Sequence, residues 1–190
     1  MDFIFNRPNR DVDRVFLHCS ASSLSAHDDV EVIRGWHLKN GWSDIGYNYY
    51  ITFDGTVHNG RDAEKSPAAQ RGHNTGTLAI CLSGLHVEDF TEEQFFSLKD
   101  LCKQINDQIT DVTFHGHCEV SDKECPVFDY KTLLGLDTFG ELGLATKLTD
   151  KKVLARQEFI DLFEELVSLD RDVKRVLGRA RDLGDIIDEL

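Results

Sequence analysis

No stretch of this sequence approaches the roughly 18 consecutive apolar residues that a membrane-spanning helix requires. Met1 to Pro8 also has neither the basic start nor the apolar core of a secretion signal. The expectation is a chain made and kept in the cytoplasm of its producing cell until something releases it. Cationic side chains are scarce, with 21 Lys and Arg against 34 Asp and Glu, for a formal charge of -13. Neutralising a phosphate backbone needs clustered Lys and Arg, so the balance argues against nucleic acid as a partner. The five cysteines (Cys19, Cys81, Cys102, Cys118 and Cys125) are odd in number and lack the spacing of a disulfide scaffold. Free thiols in a reducing compartment are expected, with Cys81 and Cys102 as small buried hydrophobes. There is no low-complexity tract.

What is present alternates between strand and helix. Asp13 to Cys19 reads as a buried strand that leaves His18 at its end. Asp28 with Glu31 resembles a capping box, opening a helix through Val30, Ile33, Trp36 and His37 that stops at Asn40-Gly41. Tyr47 to Phe53, the Asp54-Gly55 pair and Thr56 to His58 form a hairpin pattern. The polar loop from Asn59 to Thr75 is of the kind a rigid scaffold positions for function. Leu78 to Leu82 is continuously apolar and fits a central strand covered on both faces. Thr91 with Gln94 forms a second capping box, stapled by Phe90 and Phe95, ahead of a helical stripe through Leu98, Leu101/Cys102, Ile105 and Ile109. Val112 to Phe114 leads as a short strand into His115 and His117. This order predicts an α/β fold, a mixed sheet with helices on its faces. From Phe159 to Leu190, apolar residues recur in steps of four and three, a 3.5-residue period. Residues 149–190 are therefore expected to form a helical, coiled-coil-like extension to a core spanning 1–148. Three uses of it stay open: a homo-oligomer interface, packing on the chain's own core, and docking to another protein.

The chemistry concentrates in His117 to Pro126. His117 and Cys125 can fold onto one ion from a single loop, and His18 can add a third ligand from a rigid strand end. Two imidazoles and a thiolate carry one negative charge between them. A zinc ion held that way keeps residual positive charge, which acidifies water and polarises a carbonyl. Amide hydrolysis also needs a proton donor and a positive group facing the developing oxyanion. Tyr47 suits the first role and Lys123 the second; a half-buried strand tyrosine is the plain alternative for Tyr47. A Cys125–His117 nucleophile pair is a competing reading, but Cys125 precedes a proline and no small-residue turn leads from it into a helix. Strand alternation turns Cys19 away from a metal held by His18.

Several separated motifs, in order, resemble the zinc-dependent N-acetylmuramoyl-L-alanine amidases of the phage-lysozyme type, whose fold is shared with animal peptidoglycan recognition proteins. They are Val15 to Ala21, Ile33 to His37, Gly41 to Asn48, Asp54 to Val57, Gly60 to Asp62, Gly72 to Asn74, Ile80 to Gly84, and His117 through Lys123 to Asp129. The resemblance implies a roughly five-stranded mixed sheet with a metal in a surface groove. It also implies His18, His117 and Cys125 as ligands of one zinc, with Tyr47 and Lys123 assisting. His115 is then expected behind the site or at the surface. The implied partner is bacterial peptidoglycan, cut between N-acetylmuramic acid and L-alanine. Because the acidic chain lacks general attraction for wall polymers, binding must come from a shaped groove. Non-catalytic relatives that only bind peptidoglycan typically lack the cysteine, which this chain keeps. The family's repeat-type wall-binding module is absent and the extension from 149 is additional. With no secretion signal, an endolysin-like lytic enzyme is the expectation.

Overall fold

The computed structural model describes residues 3–143. The expected division at 148 and the heptad-like extension lie outside the described residues. Five strands form one sheet: β1 (Arg14–Cys19), β2 (Tyr49–Ile51), β3 (Val57–Asn59), β4 (Thr77–Leu82) and β5 (Thr113–Gly116). Their spatial order is β3-β2-β4-β1-β5. β1 runs parallel to both β4 and β5, β2 runs parallel to β4, and β3 returns antiparallel to β2. The sheet is therefore mixed, and its two central strands, β1 and β4, carry the near-continuous apolar runs that two covered faces demand.

Side-chain alternation divides those runs between two cores. Val15, Leu17, Leu78, Ile80 and Leu82 pack with Leu98, Leu101, Cys102 and Ile105 of helix α2 (Glu92–Gln108). On the opposite face Tyr50 and Cys81 meet Val30 and Ile33 of helix α1 (Val30–Lys39), together with Ile45. His18 pairs in register with Cys81 and faces opposite to Leu17, which puts its ring on the α1 side.

Local signals explain the helix starts. Thr91 and Gln94 form the reciprocal capping box of α2, and Phe90 and Phe95 stack with centroids 6.0 Å apart. Gln94 does a second job: its buried amide also donates to the carbonyls of Ile51 and Ser83 at 3.1 and 2.9 Å, pinning the helix to the ends of β2 and β4. At α1 the cap falls one residue later than the sequence pattern placed it. Asp29 accepts from the Glu31 N–H at 2.7 Å. Asp28 accepts instead from the Phe53 N–H at 3.0 Å, tying the helix entrance to the hairpin. Competition between two adjacent aspartates is decided by that long-range partner. Helix α3 (Tyr130–Leu134) follows the loop that carries Cys125. The outer edge of β5 is covered where the Phe114 N–H donates to the Gly140 carbonyl at 2.7 Å, which removes an open strand edge.

Candidate active site

The site lies at the carboxyl ends of two parallel neighbours, where open α/β sheets place their clefts. β1 and β5 are in register with Leu17 opposite Gly116. The next residue on each chain is a histidine, so parallel pairing alone brings His18 and His117 side by side. Their ring centroids are 4.6 Å apart. Gly116 permits the turn-off: a Cβ there would meet the Tyr130 ring at 2.6 Å. Cys125 then returns on a loop closed by the Cys118 N–H donating to the Cys125 carbonyl at 2.6 Å.

His18, His117 and Cys125 are all buried, and their ligand atoms lie within 4.8 Å of one another. His18 Nδ1 is 3.8 Å from Cys125 Sγ. A tetrahedral zinc with bonds of about 2.0 Å to nitrogen and 2.3 Å to sulfur would separate such atoms by roughly 3.5 Å. The donor set and its spacing therefore fit a zinc-sized cation. Among the described residues this is the group of His, Cys and acidic side chains whose ligand atoms converge in this way.

Electrostatics readies the imidazoles for a cation. Burial, aided by the neighbouring His117, holds the His18 imidazole down to about 3. Burial and then the Lys123 charge lower His117. Both rings are thus neutral near pH 7, and protons compete weakly for their lone pairs. In the metal-free protein the sign is fixed: the unfolded chain has ordinary histidines near 6.5, so it takes up protons that the folded state refuses. Stability is complete above about pH 6.5 and declines as pH falls toward 3, by up to about 1.4 kcal/mol per pH unit for His18, with His117 acting in the same direction. Thermal melts of chelator-treated protein check this, and a midpoint unchanged between pH 7 and pH 5 would contradict it.

Cys19 departs in part from the alternation argument. It is outside the converging trio, yet its Sγ touches Cys125 Sγ at 4.0 Å and its N–H points at that sulfur at 3.4 Å. The Cys125 loop wraps over the strand end, so a residue on the far face can still reach it. Across this contact the two thiols share a proton, which eases the first ionisation of the pair and opposes the second.

Tyr47 stands next to the trio, its ring centroid 5.1 Å from that of His18. Main-chain bonds hold it on both sides: the Arg61 N–H donates to its carbonyl at 2.8 Å, and the Ala68 N–H to the Gly46 carbonyl at 2.9 Å. Burial, reinforced by the thiols of Cys81, Cys125 and Cys19, pushes its phenol well above the usual range. It is therefore a proton donor near neutrality and not a base. Lys123 is exposed and lines, with His117, Trp42, Arg61 and Arg71, a groove of about 650 Å³. His115 points elsewhere: its two ring nitrogens bond Glu119 at 2.7 Å and Thr113 at 2.8 Å. Burial opposes ionisation of Glu119, but hydrogen bonds from Tyr130, His115 and Lys131 outweigh it and hold the carboxyl down to about 2. That anionic knot ties the His117 turn to α3.

Comparison with known proteins agrees with this geometry. The family model described as N-acetylmuramoyl-L-alanine amidase matches residues 8–128. The chain belongs to the N-acetylmuramoyl-L-alanine amidase family. This amidase is 36% identical over 126 residues to an endolysin of Escherichia phage T7, covering 63% of this chain and 83% of that protein. With an endolysin of Klebsiella phage KP32 the identity is 34% over 128 residues, covering 64% and 85%. Among solved structures, the N-acetylmuramoyl-L-alanine amidase LysC from Clostridium intestinale superposes with a TM-score of 0.59 at 25% identity, over 71% of this chain and 93% of that one. The mixed five-stranded sheet with flanking helices is the fold of this family.

Several residues of the site escaped the sequence reading. Arg71, unnamed there, faces the groove beside Lys123, which the sequence reading did name, with no carboxylate partner among the described residues. Arg61 spends its guanidinium on the carbonyls of Ile45 and Asp44, at 2.8 and 3.5 Å. Trp42 is 42% exposed and stacks on His37 with centroids 4.5 Å apart. Gln70, fully buried, bonds His18. Arg61, Gln70 and Arg71 lie on the 59–75 loop, which carries no periodicity from which their directions could be read; the polar length of that loop was the available signal.

Proposed function

We propose that this peptidoglycan amidase cleaves the bond between N-acetylmuramic acid and L-alanine at the groove beside His117, with one zinc per chain held by His18, His117 and Cys125. The observation that carries the reading is the convergence of two neutral imidazoles and one thiol, one of the imidazoles, His117, also lining that groove. When bound, the ion supplies Lewis-acid polarisation of the scissile carbonyl and acidifies a water molecule. The protein's own groups do the rest. Lys123, at the lip, offers positive charge to the oxygen that becomes anionic as the carbonyl turns tetrahedral. Tyr47, kept protonated by its surroundings, donates a hydrogen bond or proton at the reacting centre. Trp42 gives a flat apolar face of the kind that stacks on sugar or peptide, and Arg71, without an ion pair among the described residues, gives a cation for a stem-peptide carboxylate. The local positive charge of this groove, in a chain of net charge -13, concentrates binding at the site.

Digestion of purified sacculi with mass spectrometry tests this. New L-alanine amino termini without new reducing sugar ends are expected; reducing ends without free L-alanine would make the protein a glycan cutter. Among the described residues no helix is long and apolar enough to cross a membrane. We place the enzyme's action on the wall after release from the producing cell's cytoplasm, as for an endolysin. Residues 149–190 are proposed as a helical extension used for self-association. Removal of residues 151–190 is expected to halve or further reduce the light-scattering mass while changing turnover less than about twofold; unchanged mass per particle, beyond the lost residues, removes that proposal.

A further inference from the structure

Gln70 occupies a position that the chemistry above does not explain. It is a long polar side chain with no exposed surface, on an irregular loop, and each of its amide atoms has one specific partner. Its Nε2 lies 2.8 Å from Thr77 Oγ1, and its Oε1 lies 3.2 Å from His18 Nε2. Hydrogen counting settles which way each group points. The Thr77 hydroxyl gives its proton to the Asn74 carbonyl at 2.8 Å, so toward Gln70 it accepts. The amide NH2 must then face Thr77, and the amide oxygen must face His18. An oxygen that only accepts requires a proton on Nε2. The neutral His18 ring consequently carries its hydrogen on the far side, and its bare Nδ1 lone pair looks toward Cys125 Sγ, 3.8 Å away.

The relay is anchored at both ends by rigid structure. Thr77 opens the central strand β4. Asn74 Oδ1 accepts from the main-chain N–H groups of Ala69 and Gln70, each at 3.1 Å, which fixes the backbone from which the glutamine projects. Thr77, Cys81 and His18 share one face of the sheet by the β1/β4 register, so the glutamine reaches along that face to the ring.

Resting on the metal reading above, we propose that Gln70 is a positioning residue: through the Asn74–Thr77–Gln70 relay it holds the His18 ring in the orientation and tautomer that present Nδ1 to the cation, and so strengthens the grip of the site. A hydrogen bond to the outer nitrogen of a ligating histidine sets ring direction and raises ligand basicity, and its loss typically weakens metal binding about 10- to 100-fold. Gln70→Met keeps the length of the side chain and removes the acceptor. Gln70→Glu keeps an acceptor toward His18.

The experiment uses the full chain and titrates zinc against a chromogenic chelator of known affinity, in wild type and both variants, with far-ultraviolet circular dichroism on each. Gln70→Met is expected to weaken zinc binding at least tenfold, while Gln70→Glu stays within about threefold of wild type. Wild-type binding with unchanged affinity in folded Gln70→Met overturns the role of Gln70 alone. Failure of wild type itself to take up zinc overturns the metal reading and this proposal together. A measurement without any substitution guards against a variant that does not fold: long-range proton–nitrogen spectra of 15N-histidine-labelled, metal-free wild type near pH 7 are expected to show His18 protonated on Nε2. A proton on Nδ1 overturns the proposal.

Discussion

Serine at position 125 is expected to remove zinc and activity together. The substitution exchanges a thiolate for a neutral hydroxyl that stays protonated at pH 7, leaving two imidazoles to hold the ion. Zinc content after dialysis should fall from about one per chain to near zero, and hydrolysis of sacculi by at least about a thousandfold. The fold should survive, because Cys125 is outside both hydrophobic clusters. Elemental analysis with a turnover assay on the same preparations checks both halves. Metal-free wild-type enzyme supplies the complementary arm: full activity without zinc would make Cys125 a nucleophile and refute the metal reading.

The second large effect is expected at Lys123. This ammonium lies on the groove beside His117 and, although Asp122 and Glu124 flank it in sequence, it forms no ion pair among the described residues. If its work is to meet charge that appears only as the carbonyl becomes tetrahedral, Lys123→Ala should lower kcat by about 100- to 1,000-fold, leave KM nearly unchanged and leave zinc content intact. Tyr47→Phe should act in the same direction but less, by about 10- to 100-fold, since one donated hydrogen bond is lost from an otherwise unaltered ring. A Lys123→Ala enzyme that loses KM and keeps kcat would show that the lysine binds substrate evenly before and during reaction.

Much of this architecture was legible because it is periodic or local. The unbroken apolar runs Val15 to Leu17 and Leu78 to Leu82 announced strands covered on both faces, and Thr91 with Gln94 announced the start of α2. His18 and His117 could be named from motifs, but their adjacency follows from register: Leu17 lies opposite Gly116, which no local pattern reports. What was not legible depends on long-range choices. Asp28 and Asp29 are equivalent caps until Phe53 claims the first. Gln70 looks like any loop glutamine until folding buries it against His18, and Arg71 looks like any surface arginine until the groove forms around it. The contact of Cys19 with Cys125 lay beyond strand alternation, because the second sulfur arrives on a loop that bends around the strand end.

The side-by-side placement of His18 at the end of β1 and His117 just past the end of β5 carries one further consequence. Among the described residues β5 has a single full ladder, to β1, with the Gly140 contact on its other flank. A cation gripping His18 at the end of β1 and His117 and Cys125 beyond the end of β5 would act as a rivet across the seam between these two strands. Loading the ion should therefore slow amide exchange in β5 and the following turn far more than in β4, and heat should cost the enzyme its hydrolytic power when that seam parts, before the rest of the sheet melts.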